Sequence, residues 1–205
     1  MRKNGDLIVI SGPSGVGKST LIRRARQELP DLRFSVSCTT RQPRAGERDA
    51  VDYYFLGEEE FARRVAAGEF LEHAAVFRHR YGTLKSEVLE RIRRGEEVLL
   101  DIDVQGARQI REAAEKDPEL RRAAQFILIA PPSLETLAAR LAARSSESPE
   151  QLELRLDAAA GELRNFRLYD FMVVNDDLDE ASAQLIALLR SIRLRTALIQ
   201  EELFS

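Results

Sequence analysis

Two short stretches hold the residues with the strongest chemical character. The first is Ser11-Gly12-Pro13-Ser14-Gly15-Val16-Gly17-Lys18-Ser19-Thr20, whose Gly12 to Ser19 portion satisfies G-x-x-x-x-G-K-[ST] in full. Glycines let backbone N–H groups close on a triphosphate that a side chain would hold away. Lys18 would neutralise β- and γ-phosphate charge, and Ser19 would offer a hydroxyl to Mg²⁺. The second stretch, Phe34 to Tyr54, packs Arg41, Arg44, Glu47 and Tyr53 together with the hydroxyls of Ser37, Thr39 and Thr40. Arginines at this spacing can grip a phosphate monoester through planar, bidentate donors, and a tyrosine adds a neutral one. One chain with two phosphate sites has the equipment for phosphoryl transfer.

A third group supports the first. Glu97-Val98-Leu99-Leu100-Asp101-Ile102-Asp103 reads as a buried strand ending in carboxylates. Taken alone, Asp101 is an aspartate opening a turn. Beside an intact phosphate loop it falls where a carboxylate supports Mg²⁺, usually through the metal's water shell.

These residues need a frame. Leu7-Ile8-Val9-Ile10 is a short, β-branched apolar run suited to a buried parallel strand. Thr20 to Leu29 reads as the helix that follows the loop, stopped by Pro30. Its N-terminus would aim the helix dipole at bound phosphate. Further apolar strands are expected at 97–102, 125–130 and 171–174, alternating with helices in the manner of a parallel α/β sheet. The region from about 35 to 85 breaks that rhythm with short alternating segments such as Asp52 to Leu56. It reads as an inserted, mostly β lobe, with a small helix from Glu58 closed by Gly68. After Pro131-Pro132, Ser133 caps a helix carrying Arg140 and Arg144. A polar hinge at Ser145 to Pro149 leads to a second helix carrying Arg155. This pair suits either a mobile lid with inward arginines or a static hairpin with solvated ones. Ala181 to Phe204 reads as one long amphipathic helix. Its Leu198, Ile199, Leu203 and Phe204 would cover the core or a second subunit, which leaves a homodimer open.

At 205 residues, the chain has room for a single core carrying insertions. A net charge of −3 argues against a general nucleic-acid surface. Cys38 is the only cysteine, which excludes an intrachain disulfide and makes it a packing thiol. His73 and His79 show no partner in the pattern. The N-terminal apolar run is too short for a signal peptide, and no segment approaches membrane-spanning length. A cytoplasmic location with no membrane partner is expected.

The chain resembles guanylate kinases over nearly its full length. The resemblance rests on Ser11 to Thr20, Ser35 to Arg41, Pro43-Arg44, Gly46-Glu47, Asp52-Tyr53, Gly68 to Glu72 and Tyr81-Gly82-Thr83. It continues through Leu100 to Gly106, Pro131 to Leu134 and Val174 to Leu178. It implies a P-loop α/β core (1–34, 86–137 and 169–205), a GMP-binding lobe (35–85) and a helical lid (138–168). Arg41, Arg44, Tyr53 and Tyr81 would hold the GMP phosphate; Ser37, Glu72, Thr83 and Asp103 would read guanine. ATP would lie on Gly12 through Thr20, with Asn175 beside it, and Mg²⁺ near Ser19 and Asp101. Lys18, Arg41, Arg44, Arg140, Arg144 and Arg155 would meet charge on the migrating phosphoryl group. Glu47 would touch substrate or orient Arg41 or Arg44. GMP or dGMP would be the acceptor. The alternatives are a non-catalytic module of the same fold, or a kinase for another phosphorylated acceptor. Two departures stand out. Ala50 occupies a position where the family usually has glycine, and Ser145-Ser146 replaces a common Gly-Thr.

Overall fold

The computed structural model describes residues 4–76, 78–143 and 149–199. Its central strand, β1 (Leu7–Ser11), is buried along its whole length. Leu7 and Val9 enter one hydrophobic cluster, with Val88, Ile92, Leu100, Ile110 and Phe126. Ile8 and Ile10 enter another, with Val16, Leu21, Leu185, Leu189 and Ile192. A run with no polar alternation is what a strand covered on both faces requires. Each such side chain contributes roughly 1.5–3 kcal/mol of burial.

Around β1 the sheet runs β2-β7-β1-β8-β9, every pairing parallel. Its other strands are β2 (Arg33–Phe34), β7 (Val98–Asp101), β8 (Ala124–Ala130) and β9 (Phe171–Val174). Helices α1 (Lys18–Glu28) and α8 (Leu178–Ile192) cover one face; α3 (Lys85–Arg93) and α4 (Val104–Lys116) cover the other. The short α5 (Pro118–Ala123) follows α4. Strand order changes direction at β1, which opens a crevice beyond the carboxyl ends of the strands.

Between β2 and α3 the chain builds a separate four-stranded sheet, ordered β4-β3-β6-β5. Its strands are β3 (Cys38–Thr39), β4 (Tyr54–Phe55), β5 (Phe70–Val76) and β6 (His79–Leu84). Helix α2 (Glu58–Ala66) packs Phe61 against Phe70, ring centroids 4.6 Å apart, and against Cys38. Gly68, at φ +65°, turns the chain from α2 into β5. The expected strand at Asp52 to Leu56 is shorter, because Arg48 and Asp52 fold into a turn. Arg48 N–H donates to Asp52 Oδ2 at 2.8 Å.

Helix α6 (Leu134–Ala142) begins as its sequence indicates: Ser133 Oγ accepts from Thr136 N–H at 3.1 Å. It pairs with α7 (Pro149–Leu163) through Leu137, Leu141, Leu152, Leu156 and Ala159. The polar hinge expected between them falls at 144–148, outside the described residues. The expected strand through Asp103 stops at Asp101, because Asp103 caps α4 by accepting from Gly106 N–H at 2.8 Å. The long C-terminal helix is likewise shorter than expected. Asp177 starts α8 at Leu178 by accepting from the N–H groups of Asp179 and Glu180, and the helix ends at Ile192. A 3₁₀ turn (Thr196–Leu198) then buries Leu198 in this same chain, where its carbonyl accepts from Asn4 N–H at 2.9 Å. Leu203 and Phe204 lie outside the described residues.

Candidate active site

The loop between β1 and α1 is shaped by contacts that leave no room for side chains. Gly12 has φ +148°, and a Cβ there would stand 2.2 Å from the Ile129 carbonyl oxygen. Gly17 has φ +100°, and its Cβ would meet Asn175 Nδ2 at 2.3 Å. Gly17 is also the N-cap of α1, and no side chain caps it. Thr20 N–H turns back to the Gly17 carbonyl at 3.1 Å, while those of Lys18 and Ser19 lie at the uncapped start of the helix as anion donors, with the helix dipole behind them. Lys18 Nζ donates to the Gly12 carbonyl, which holds the ammonium over the loop. Asn175 Nδ2 donates to Val16 O at 2.7 Å, and Arg155 donates to Ser14 Oγ at 2.8 Å. The loop is thus pinned from β9 and from α7. A cleft of about 250 Å³ lies along Gly15, Val16, Gly17 and Thr20, walled by Arg140, Asn175, Asp176 and Leu178.

Asp101 ends β7 beside Ile10 of β1, and it lines a second cleft together with Ser19. Burial raises its carboxyl above the ordinary aspartate value, while Lys18 pulls it back down. A cation placed there would favour the ionised form. Among the described residues no three metal-ligating side chains cluster. A cation held by Ser19 and Asp101 would thus be completed by phosphate oxygens and water, the habit of Mg²⁺ rather than of a caged metal.

Across the second sheet, β3 pairs Cys38 with Gly82 and Thr39 with Tyr81, while β5 pairs Glu72 with Thr83. Continued by one residue, that register sets Ser37 opposite Thr83. Directly opposed residues share a face, so Ser37, Thr83 and Glu72 form one row over three adjacent strands. Tyr81 lies on the same face two residues along β6, roughly 7 Å away. There it meets Tyr53 edge-on at 6.1 Å, and the Arg41 guanidinium stands 5.4 Å from the Tyr53 ring. The face therefore carries hydroxyls and a carboxylate at one end and an arginine with two tyrosines at the other.

Glu72 is the unusual member of the row. It is 5% exposed, and Thr83 Oγ1 donates to its Oε1 at 2.7 Å. Burial pushes its carboxyl up to about 7; Thr83's hydrogen bond opposes the shift and the charge of Asp103 adds to it. A Cβ on Gly106 would approach Glu72 Oε2 to 2.6 Å, so only glycine in the first turn of α4 lets the carboxylate sit there. Asp103 itself is turned toward α4 as its cap.

The arginines divide by environment. Glu47 takes both ends of the Arg41 guanidinium, at 2.9 and 3.0 Å, and also accepts from Arg44 N–H at 2.8 Å. Both carboxylate oxygens of Glu47 are thus engaged within this loop. The Arg44 side chain is exposed at the mouth of the site. Arg140 donates to the carbonyls of Asn175 and Asp176 at 2.7 and 3.2 Å. Arg144 lies outside the described residues. Cys38 is fully buried, and burial pushes its thiol up to about 12, so it is an inert packing group.

Two features escaped the sequence. Ala50 has φ +60°, the only positive φ of a non-glycine among the described residues. Its unexpected side chain was visible in the sequence, but its backbone was not. Glu162 of α7 is partly buried with a raised carboxyl; burial is the main cause, Lys18 opposes it and Asp103 adds to it. In sequence it is one more glutamate on a helix.

The Guanylate kinase family model matches residues 4–192. The guanylate kinase of Symbiobacterium thermophilum is 48% identical over 195 residues, covering 95% of this chain and 89% of that protein. The guanylate kinase of Frankia casuarinae is 47% identical over 183 residues, covering 89% and 96%. Among solved structures, the guanylate kinase of Anaplasma phagocytophilum aligns with a TM-score of 0.73 at 34% identity. That alignment spans 96% of this chain and 90% of the other.

Proposed function

The chain belongs to the guanylate kinase family, and on that premise we propose that it transfers the γ-phosphoryl group of ATP to GMP or dGMP, giving ADP and the guanine nucleoside diphosphate. The observation that carries this reading is the row of Ser37, Thr83 and buried Glu72, running toward Arg41, Tyr53 and Tyr81. Guanine presents N1–H and N2–H₂ on one edge, which an ionised Glu72 can accept together. A hydroxyl of Ser37 or Thr83 can donate to O6. Adenine sets an acceptor against the carboxylate and a donor against the hydroxyl. Such mispairing in a site built for hydrogen bonding discriminates by roughly 10⁴-fold.

The attacking atom is a phosphate oxygen of the acceptor, anionic near neutral pH because its second pKa is about 6. No general base is required. The residues instead align two anions and offset their repulsion. Arg41, held by Glu47, and Arg44, with Tyr53 and Tyr81, would receive the acceptor phosphate. Lys18 and the backbone N–H groups of Gly15, Gly17, Lys18 and Ser19 would receive the donor phosphates, with Asn175 acting through Val16. Ser19 and Asp101 fit a Mg²⁺ ion, which would supply charge neutralisation for the transferring phosphoryl group. Residues 35–85 would act as the acceptor lobe and 138–168 as the lid, on a core of 1–34, 86–137 and 169–205. Lid closure would bring Arg140, Arg144 and Arg155 toward the migrating group and exclude water.

No helix among the described residues is long and apolar enough to cross a membrane, and free nucleotides are the expected partners. The test is ADP production with MgATP and each of GMP, dGMP, AMP, CMP and UMP. Turnover confined to the guanine nucleotides supports the proposal. Turnover with AMP equal to that with GMP, or with no nucleotide at all, overturns it.

A further inference from the structure

Strand β5 is the edge of its sheet, so the backbone groups of every second residue face away from β6 with no strand to receive them. At His73 that edge is occupied by a side chain. His73 N–H donates to Gln109 Oε1 at 3.0 Å, and Gln109 Nε2 donates back to His73 O at 2.8 Å. The amide of Gln109 thus stands in for the missing strand at one residue. Gln109 belongs to α4, which packs along β5. The same helix presents Gly106 to Glu72 Oε2, and Asp103 caps its first turn.

From this we infer that Gln109 is a positioning residue for guanine recognition, locking β5 to α4 next to Glu72 so that its carboxylate meets the base edge in one fixed orientation. The inference rests on the base-reading role proposed for Glu72. Without the lock, β5 keeps its ladder to β6 and the packing of Phe70 on Phe61 and of Leu71 in the core, but the backbone next to Glu72 loses both hydrogen bonds to α4, beside the irregular register at Phe70 to Glu72. A buried carboxylate can accept two donors from guanine only if its plane is aligned with them. Rotation of the strand about β6 would preserve the bond from Thr83 but tilt that plane. Gln109 touches neither substrate nor the reacting atoms, so its influence must pass through Glu72.

The experiment is a double-mutant cycle read by steady-state kinetics on the full chain, with melting temperature measured for every variant. Gln109→Leu keeps the bulk and removes both amide bonds. It should raise KM for GMP by about tenfold, the loss expected when a charge-assisted hydrogen bond from the base to Glu72 is misaligned. KM for ATP and kcat at saturating GMP should stay within about twofold. The preference for GMP over inosine monophosphate, which lacks the N2 donor, should narrow. Gln109→Glu, which retains only the acceptor for His73 N–H, should fall between, and it carries the comparison if the leucine variant does not fold. In a Glu72→Gln background the Gln109 substitution should add little, because the group it positions is gone.

Equal effects of Gln109→Leu in both backgrounds would overturn the inference and leave Gln109 as a protector of the sheet edge. So would a fall in melting temperature with an unchanged preference for GMP. If Glu72→Gln alone leaves GMP use unchanged, the base-reading role fails first, and the positioning role with it.

Discussion

Replacing Glu72 by glutamine should make the folded protein more stable above about pH 7. Glu72 is 5% exposed, and burial pushes its carboxyl from the ordinary 4.5 to about 7. Below the unfolded value the group is neutral in both states, so it carries no penalty there. Between 4.5 and about 7 the folded protein keeps a proton that the unfolded chain has released. The folded state then binds more protons, so stability falls as pH rises through this window. Above about 7 the whole penalty is present. At 1.36 kcal/mol per pKa unit it amounts to about 3 kcal/mol. Glutamine is neutral throughout and can still accept from the Thr83 hydroxyl. The advantage of Glu72→Gln should therefore be about 3 kcal/mol at about pH 8, shrinking toward zero near pH 5. For a chain of this size that is a rise in melting temperature of roughly 6–12 °C at the alkaline end. Urea unfolding of both proteins at intervals across that range gives the difference directly. A difference that stays constant with pH, or a variant less stable at about pH 8, would refute the reasoning. Turnover with GMP should move the other way, because glutamine cannot accept both guanine donors.

Lys18→Ala should lower kcat by about 10³-fold or more with little change in melting temperature, since a charge over the transferring phosphates is lost and the core is untouched. Near-normal turnover would remove the donor role from the loop. Ala50→Gly should stabilise the protein by about 0.5–1 kcal/mol. A left-handed alanine costs roughly 1–2 kcal/mol, and glycine returns part of the gain as unfolded-state entropy. Urea midpoints decide it, and an unchanged or lower midpoint contradicts the strain. Asn175→Ala should raise KM for ATP by about tenfold while sparing KM for GMP, because the amide holds the Val16 carbonyl and lies on the donor side alone. A parallel rise in both constants would mean that the substitution disturbs the whole sheet.

The parts legible in sequence are those whose cause is local. The Leu7 to Ile10 run, the glycines before Lys18 and the cap at Ser133 each act within a few residues, and they sit where their spacing puts them. What was not legible depends on partners far along the chain. Glu72 stands out in sequence only through the family resemblance; by its own neighbours it is an ordinary glutamate, and its burial comes from β5, β6 and α4 together. Gln109 looks like a solvated helix residue, and its importance lies in the backbone of a strand that precedes it by 36 positions. Glu47 offered both a substrate contact and a bracing role, and only the fold of the loop shows its oxygens already engaged by Arg41 and Arg44. The C-terminal helix was overextended because its apolar spacing continues past Ile192. Leu198 instead reaches the core by a tighter turn.

The central place of β1 also has a consequence for the order in which the molecule can be made. Its neighbours begin at Val98 on one side and Ala124 on the other, and Asn175 later clasps the loop that β1 carries. Long-range pairing of this kind is slow, because the intervening chain must be closed before any contact rewards it. At synthesis rates of about 5–20 residues per second, the Leu7 to Ile10 segment waits roughly 10–30 seconds for the clasp. Until Val98 and Ala124 have followed it, it is a bare β-branched stretch of the kind that associates with other chains or recruits a chaperone. A nascent chain that stops short of Asn175 therefore carries the phosphate loop without its clasp, and β1 becomes competent only long after it has been synthesised.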